Sequence, residues 1–281
     1  MTTILVPTDF SPNAAKALNY AAELSRLVGA RIIIIHVTDL THASINENVV
    51  LPENPDKEIM RLANDKLEVL AKAAGEISGG TVEKQLYNGF VTDAIEQAAK
   101  ENSADLVIMG TLGDTGLREK LFGSITARVI SHVNIPVLAI PLLYEWEPPE
   151  NILLAINHID ESPDTFRLLT ELVQKLKATL NITIFTNEDK DGPYDYLQHR
   201  RDIEIFCKKM QQMHPQIKIL PIPVYGHHFE DAIKTYIAEN ETQMLVMVTH
   251  KRSFLESIFN RSMTRKMSYH TDIPLLSIPV H

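Results

Sequence analysis

Short β-branched apolar runs alternate along the chain with stretches whose apolar residues recur at helical spacing. Ile4 to Thr8 and Ile32 to Val37 show no apolar–polar alternation, the pattern of strands covered on both faces. Between them, Ser11-Pro12 offers an N-cap hydroxyl and a proline at the first helical position. Ala14, Leu18, Ala21, Ala22 and Ser25 then line one face of a helix. Ile59, Ala63, Leu67 and Leu70 repeat that spacing across Asp56 to Ala74. Thr81 to Tyr87 is more polar and suits a strand near a sheet edge. Val91 to Lys100 follows as helix, Leu106 to Met109 as strand, Ser124 to Val133 as helix and Val137 to Ile140 as a last strand. This alternation predicts an α/β fold, a parallel sheet with helices on both faces joined by right-handed crossovers. Such sheets take ligands beyond the carboxyl ends of their strands, where strand order reverses.

The plan occurs twice. Set without a gap, Tyr87 meets Tyr225, Asp93-Ala94-Ile95 meets Asp231-Ala232-Ile233, and Glu101-Asn102 meets Glu239-Asn240. Met109 and Thr111 meet Met247 and Thr249, Ser124-x-Thr126 meets Ser262-x-Thr264, and Ile135-Pro136 meets Ile273-Pro274. About 17 of 55 positions are identical, which marks an internal repeat. Ile4-Leu5-Val6 likewise corresponds to Ile152-Leu153-Leu154. Pro148-Pro149 can continue neither a helix nor a central strand, so two domains meet near residue 145, the first over 1–143 and the second over 150–281. Strands of the second copy are expected at Ile152 to Ile156, Ile182 to Phe185, Ile217 to Val224, Met244 to Val248 and Leu275 to Ile278. Its second helix is expected at Tyr194 to Met213. Each domain thus has a five-stranded, doubly wound parallel sheet flanked by helices.

The 281 residues suffice for two such domains, and no apolar run is long enough to span a bilayer. Met1-Thr2-Thr3 followed by Ile4-Leu5-Val6 has neither the basic flank nor the cleavage site of a signal peptide. With Cys207 the one cysteine, this makes a cytoplasmic location the expectation. A formal charge of −9 argues against a general nucleic-acid binder but leaves room for a small anion held by local backbone dipoles.

Chemistry concentrates in Gly110-x2-Gly113-x9-Gly123-Ser124, set between a buried strand and a helix. Gly110 and Gly113 are expected to turn with positive φ and to let backbone approach a ligand. Gly123 clears the helix entrance, where unpaired amides and the helix dipole favour a phosphate, and Ser124 caps the helix or donates to the anion. Arg118 and Lys120 add diffuse positive charge. The alternative is a loop that is glycine-rich for turn geometry alone. Asp9 likewise has two readings, a ligand contact or a turn cap before Ser11-Pro12.

With these residues the chain resembles the universal stress proteins in their tandem two-domain form. The resemblance rests on Val6-Pro7-Thr8-Asp9-Phe10-Ser11, His36-Val37, Met109-Gly110-Thr111-x-Gly113 through Gly123-Ser124-Ile125-Thr126, and Ile135-Pro136-Val137-Leu138. It implies Rossmann-like domains of the adenine nucleotide alpha hydrolase type and a stress-response role. The glycine spacing is that of the family's ATP-binding branch, which implies ATP or another adenine nucleotide, with or without Mg. Asp9 would face ribose and adenine, Val37 would meet the adenine edge through its backbone, and Gly110, Gly113, Gly123, Ser124 and Ile125 would hold the phosphates, with Pro7, Thr8 and Met109 as further nucleotide contacts. The resemblance also implies that the last strands of the two domains pair as an intrachain pseudo-dimer, with a homodimer of chains as a further step. Protein partners stay unidentified.

The second copy departs from this pattern. Gly110 becomes Val248, Gly113 becomes Lys251, Gly123 becomes Arg261, and Asp9 aligns with Asn157, so only the first domain is expected to bind nucleotide. No Walker A ending or water-activating group is in place, so at most slow hydrolysis is expected of what is otherwise a binding or signalling switch. The alternatives are a scaffold without nucleotide and, further off, an enzyme such as an adenylyl transferase. His227-His228, His199 and His214 lack tight ligand spacing, so no metal site is expected. Cys207 falls among Ile203, Phe206 and Met210 as core, His132 at a helix end as a cap, and Tyr194, Tyr196 and Arg200 at the surface or between domains.

Overall fold

A computed structural model describes residues 1–38, 55–111, 124–156, 163–250 and 272–280. The chain divides into two compact units, the first closing at Leu142 and the second opening at Leu143.

In the first unit, strand β1 (Thr3–Pro7) is followed by α1 (Pro12–Val28), β2 (Arg31–Thr38), α2 (Pro55–Ser78), β3 (Val82–Asn88) and α3 (Val91–Glu101). Then come β4 (Leu106–Gly110), α4 (Ser124–His132) and β5 (Val137–Ile140). All strands run parallel in the order β3-β2-β1-β4-β5, so the order reverses between β1 and β4. The fully buried runs at Ile4–Val6 and Ile32–Ile35 form the centre, and the more polar β3 lies at the edge, as its composition predicts.

Local chemistry fixes α1 at both ends. The Ser11 hydroxyl accepts the Ala14 amide at 3.2 Å, Pro12 begins the helix, and Gly29 closes it at φ 68° with its amide on the Ser25 carbonyl. Its predicted face of Ala14, Leu18, Ala21, Ala22 and Ser25 is buried. On α2 the inner residues Ala63 and Leu67 are buried, whereas Ile59 lies at the surface.

The second unit holds β6 (Asn151–Ile156), a 3-10 turn (Pro163–Phe166), α5 (Arg167–Leu176), β7 (Thr179–Asn187) and α6 (Pro193–Met213). β8 (Lys218–Pro221), β9 (Val224–Gly226), α7 (Phe229–Glu239), β10 (Met244–His250) and β11 (Leu275–Val280) follow. Its order is β8-β7-β6-β10-β11, the same winding. One expectation fails. The run from Ile217 to Val224 is not one strand but two, β8 and β9, both paired with β7. Pro221 and Pro223 withhold amide donors across this stretch and interrupt the ladder.

Asp105 clamps the start of β1. Its Oδ2 accepts the amides of Thr2 and Thr3 at 2.6 and 3.0 Å and the Thr2 hydroxyl at 3.0 Å. Burial alone would raise this carboxyl, but those donors, with the chain's amino terminus, outweigh it and hold the pKa below its ordinary value. Because the folded value is the lower one, the stabilisation is complete above the unfolded value near ~4 and fades as pH falls through the folded value. Asp105→Ala should therefore cost about 1 kcal/mol at neutral pH, and the cost should shrink as pH falls through the folded value, measured by urea unfolding across that range.

Candidate functional site

The carboxyl ends of β1, β2 and β4 converge where strand order reverses. After β1, the Thr8 amide still donates to the Ile35 carbonyl at 2.9 Å, and the chain then turns sharply. The Thr8 hydroxyl accepts the Phe10 amide at 3.0 Å, and Asp9 Oδ1 accepts the Ser11 amide at 3.0 Å. Phe10 takes a left-handed φ of 63°, unusual for a bulky residue. Packing supports it there: its ring lies 4.3 Å from that of His36, and Lys66 Nζ, from α2, sits 5.1 Å from the ring centre. His36 Nδ1 is 2.7 Å from the Thr8 carbonyl, which only accepts, so Nδ1 is the donor. Asp9 thus has the turn-cap geometry, and its carboxylate is exposed at the rim.

β4 contributes Met109 and Gly110. Gly110 does not have positive φ, contrary to expectation; its constraint is space. A Cβ there would lie 2.6 Å from Asn13 Cγ and 2.7 Å from its Nδ2, and Asn13 is 3% exposed at the start of α1. The Thr126 hydroxyl donates to the Gly110 carbonyl at 2.8 Å in a buried bond. That bond anchors the opening turn of α4 beside the end of β4.

Of the residues singled out in the sequence, Pro7, Thr8 and Asp9 stand at the end of β1, Val37 near the end of β2, Met109 and Gly110 at the end of β4, and Ser124 and Ile125 open α4. β1 pairs with both β2 and β4, so these ends are neighbours. Gly113 and Gly123, with Arg118 and Lys120, lie outside the described residues, as do Asn157, Lys251, Arg261 and Ser262.

Three features had no sequence signal. Asn13 carries no spacing pattern, and only the fold brings it under Gly110. His36 and Phe10 lie 26 positions apart, and the strand register alone brings them together. Phe90, 80% exposed, follows Gly89, which turns at φ 115° with its amide on the Thr38 carbonyl.

The second unit differs at the same level. Ile4 pairs with Ile32 and Ile152 with Leu180, so Phe185 stands where Val37 does, and Phe229 stands where Val91 does. The two rings meet edge-on at 5.5 Å. Among the described residues no group of three or more His, Cys, Asp or Glu could hold a metal ion. His227 pairs instead with Asp189 at 2.9 Å on an exposed loop. His132 Nδ1 caps the Arg128 carbonyl at 2.9 Å. Cys207 is buried, and burial pushes its thiol up to about 12.

A parallel sheet reversing order between two central strands, with a helix amino end held at the reversal, is the doubly wound arrangement of nucleotide-type α/β domains. The family model described as the universal stress protein family matches residues 1–141. A universal stress protein of Methanocaldococcus jannaschii is 32% identical over 151 residues, covering 49% of this chain and 93% of the relative. One from Synechocystis is 25% identical over 302 residues and covers 99% of both chains. The crystal structure of a universal stress protein from Archaeoglobus fulgidus superposes with a TM-score of 0.71 at 18% identity, over 99% of this chain and 96% of that one, a likeness of fold. The chain belongs to the universal stress protein family, in its tandem two-domain form.

The Gly110–Asn13 contact gives a direct test. Gly110→Ala should lower stability by about 1–3 kcal/mol through overpacking, and the loss should shrink by more than half in an Asn13→Ala background. Chemical unfolding of the four proteins in the cycle measures the coupling; equal losses in both backgrounds would contradict the contact.

Proposed function

We propose that this stress-response family member binds an adenine nucleotide, ATP or a close relative with or without Mg, in its first domain (1–143). There it acts as a binding or signalling switch. The observation that carries the reading is the Thr126–Gly110 bond, which holds the amino end of α4 at the strand reversal. The first amides of a helix have no partner within it, and with the helix dipole they suit a phosphate. The proposed contacts are Asp9 toward ribose and adenine, Val37 toward the adenine edge, and Gly110, Gly113, Gly123, Ser124 and Ile125 toward phosphate, with Pro7, Thr8 and Met109 beside them. The second domain (150–281) is proposed to hold no nucleotide. Val248 in place of Gly110 and the Phe185–Phe229 ring pair in place of two valines support this.

No helix among the described residues is long and apolar enough to cross a membrane; a cytoplasmic location belongs to the proposal. The rival reading, a scaffold for protein contacts, draws on α2, which exposes Ile59, Met60, Leu62 and Val69.

Equilibrium dialysis with radiolabelled ATP should give one nucleotide per chain, and Gly113→Arg should weaken it by at least about tenfold. Phosphate release should stay well below ~1 per second. Two nucleotides per chain, full affinity in the variant, or turnover of many per second would each count against the proposal. No binding at all, with no ATP-dependent shift in melting, would favour the scaffold.

A further inference from the structure

The outer edge of the second unit contains a cleft that the nucleotide reading does not use. β8 pairs with β7 as far as Pro221, the Ile222 amide donates to the Ile182 carbonyl at 2.8 Å, and pairing resumes only at Phe185–Val224. Opposite this break, α6 presents Tyr196, His199, Arg200, Ile203 and Glu204, spaced as one helix face. The space between them is about 310 Å³, at the lower end for small-molecule sites. Its floor is apolar, made by the buried Ile184, Ile203 and Val224.

Polar groups stand at one side of this floor. His199 Nδ1 is 3.0 Å from the Thr186 hydroxyl, so the ring is fixed by a buried partner. Among the described residues Arg200 makes one long contact, Nε to Glu204 Oε1 at 3.4 Å, and both side chains are largely exposed. Such a pair contributes little and leaves most of the guanidinium donors for another acceptor. Strand alternation puts Ile184 and Thr186 on one face of β7 and Phe185 on the other. The cleft and the Phe185–Phe229 pair are therefore on opposite faces of the strand.

We infer that this cleft is a second ligand site, taking a small flat apolar molecule of one or two rings that bears one carboxylate. The ring body lies on Ile184, Ile203 and Val224 beside the Tyr196 ring, and the carboxylate takes the Arg200 fork in place of Glu204. A planar fork matches a carboxylate bidentately, which a single contact to Glu204 does not achieve. Glu204 then sets the affinity by competing for Arg200. The site belongs to the second unit and does not depend on nucleotide binding in the first.

The test titrates the full chain with 2-naphthoate, followed by amide-resolved NMR, with 2-naphthalenemethanol as the uncharged control. Saturable one-to-one binding is expected at roughly 0.1–1 mM, with shifts gathered at Thr186, His199 and Val224. The alcohol and the Arg200→Ala variant should each bind about tenfold more weakly, and Glu204→Gln should bind a few-fold more tightly. Saturating ATP should leave naphthoate binding unchanged. No saturation, equal binding by Arg200→Ala, weaker binding by Glu204→Gln, shifts elsewhere, or displacement by ATP would each overturn the assignment. Both substituted side chains are exposed, so the variants are expected to fold.

Discussion

The first turn of α1 lies so close over the end of β4 that no methyl group fits between Asn13 and Gly110. This closeness constrains the carboxyl ends of the central strands. Beside it the Thr8–Asp9–Phe10 turn is held by its own side-chain bonds, and the Gly110 carbonyl receives Thr126 and so anchors α4. The turn is also stabilised by His36, bonded to the Thr8 carbonyl and packed at a tilt against Phe10. A left-handed phenylalanine costs about 1–3 kcal/mol. Ring packing and the two side-chain turn bonds are the interactions available to offset that cost.

Much of this architecture was legible in the residues. Unbroken β-branched runs predicted the central strands because a strand covered on both faces has no reason to alternate, and Ser11-Pro12 predicted the start of α1 because capping is local. The polar Thr81 to Tyr87 run correctly fell at the edge. Ile217 to Val224 misled because its apolar residues outvoted two prolines whose missing donors break the ladder. Gly110 was expected to supply positive φ and close approach to a ligand; its φ is not positive, and the neighbour that needs its missing side chain is Asn13, which no spacing in the sequence points to. Gly113 and Gly123 lie outside the described residues.

The two halves share one fold and differ in local packing. At the level of Val37 and Val91 the first unit keeps small side chains, while the second fills the same positions with two rings in contact. In the second unit a cleft lies on the opposite face of β7, where the break between β8 and β9 uncovers α6. The two copies differ at these strand ends, at the sheet edge and in helix length, α5 being shorter than α1. The buried strand centres keep their pattern.

Cys207 is the one sulfhydryl of the chain, sealed in the core of the second unit and far too weak an acid to ionise at neutral pH. A maleimide therefore finds no native target in the folded molecule. Any surface position converted to cysteine becomes the unique point of attachment for a fluorophore or spin label, without first removing the residue nature placed there.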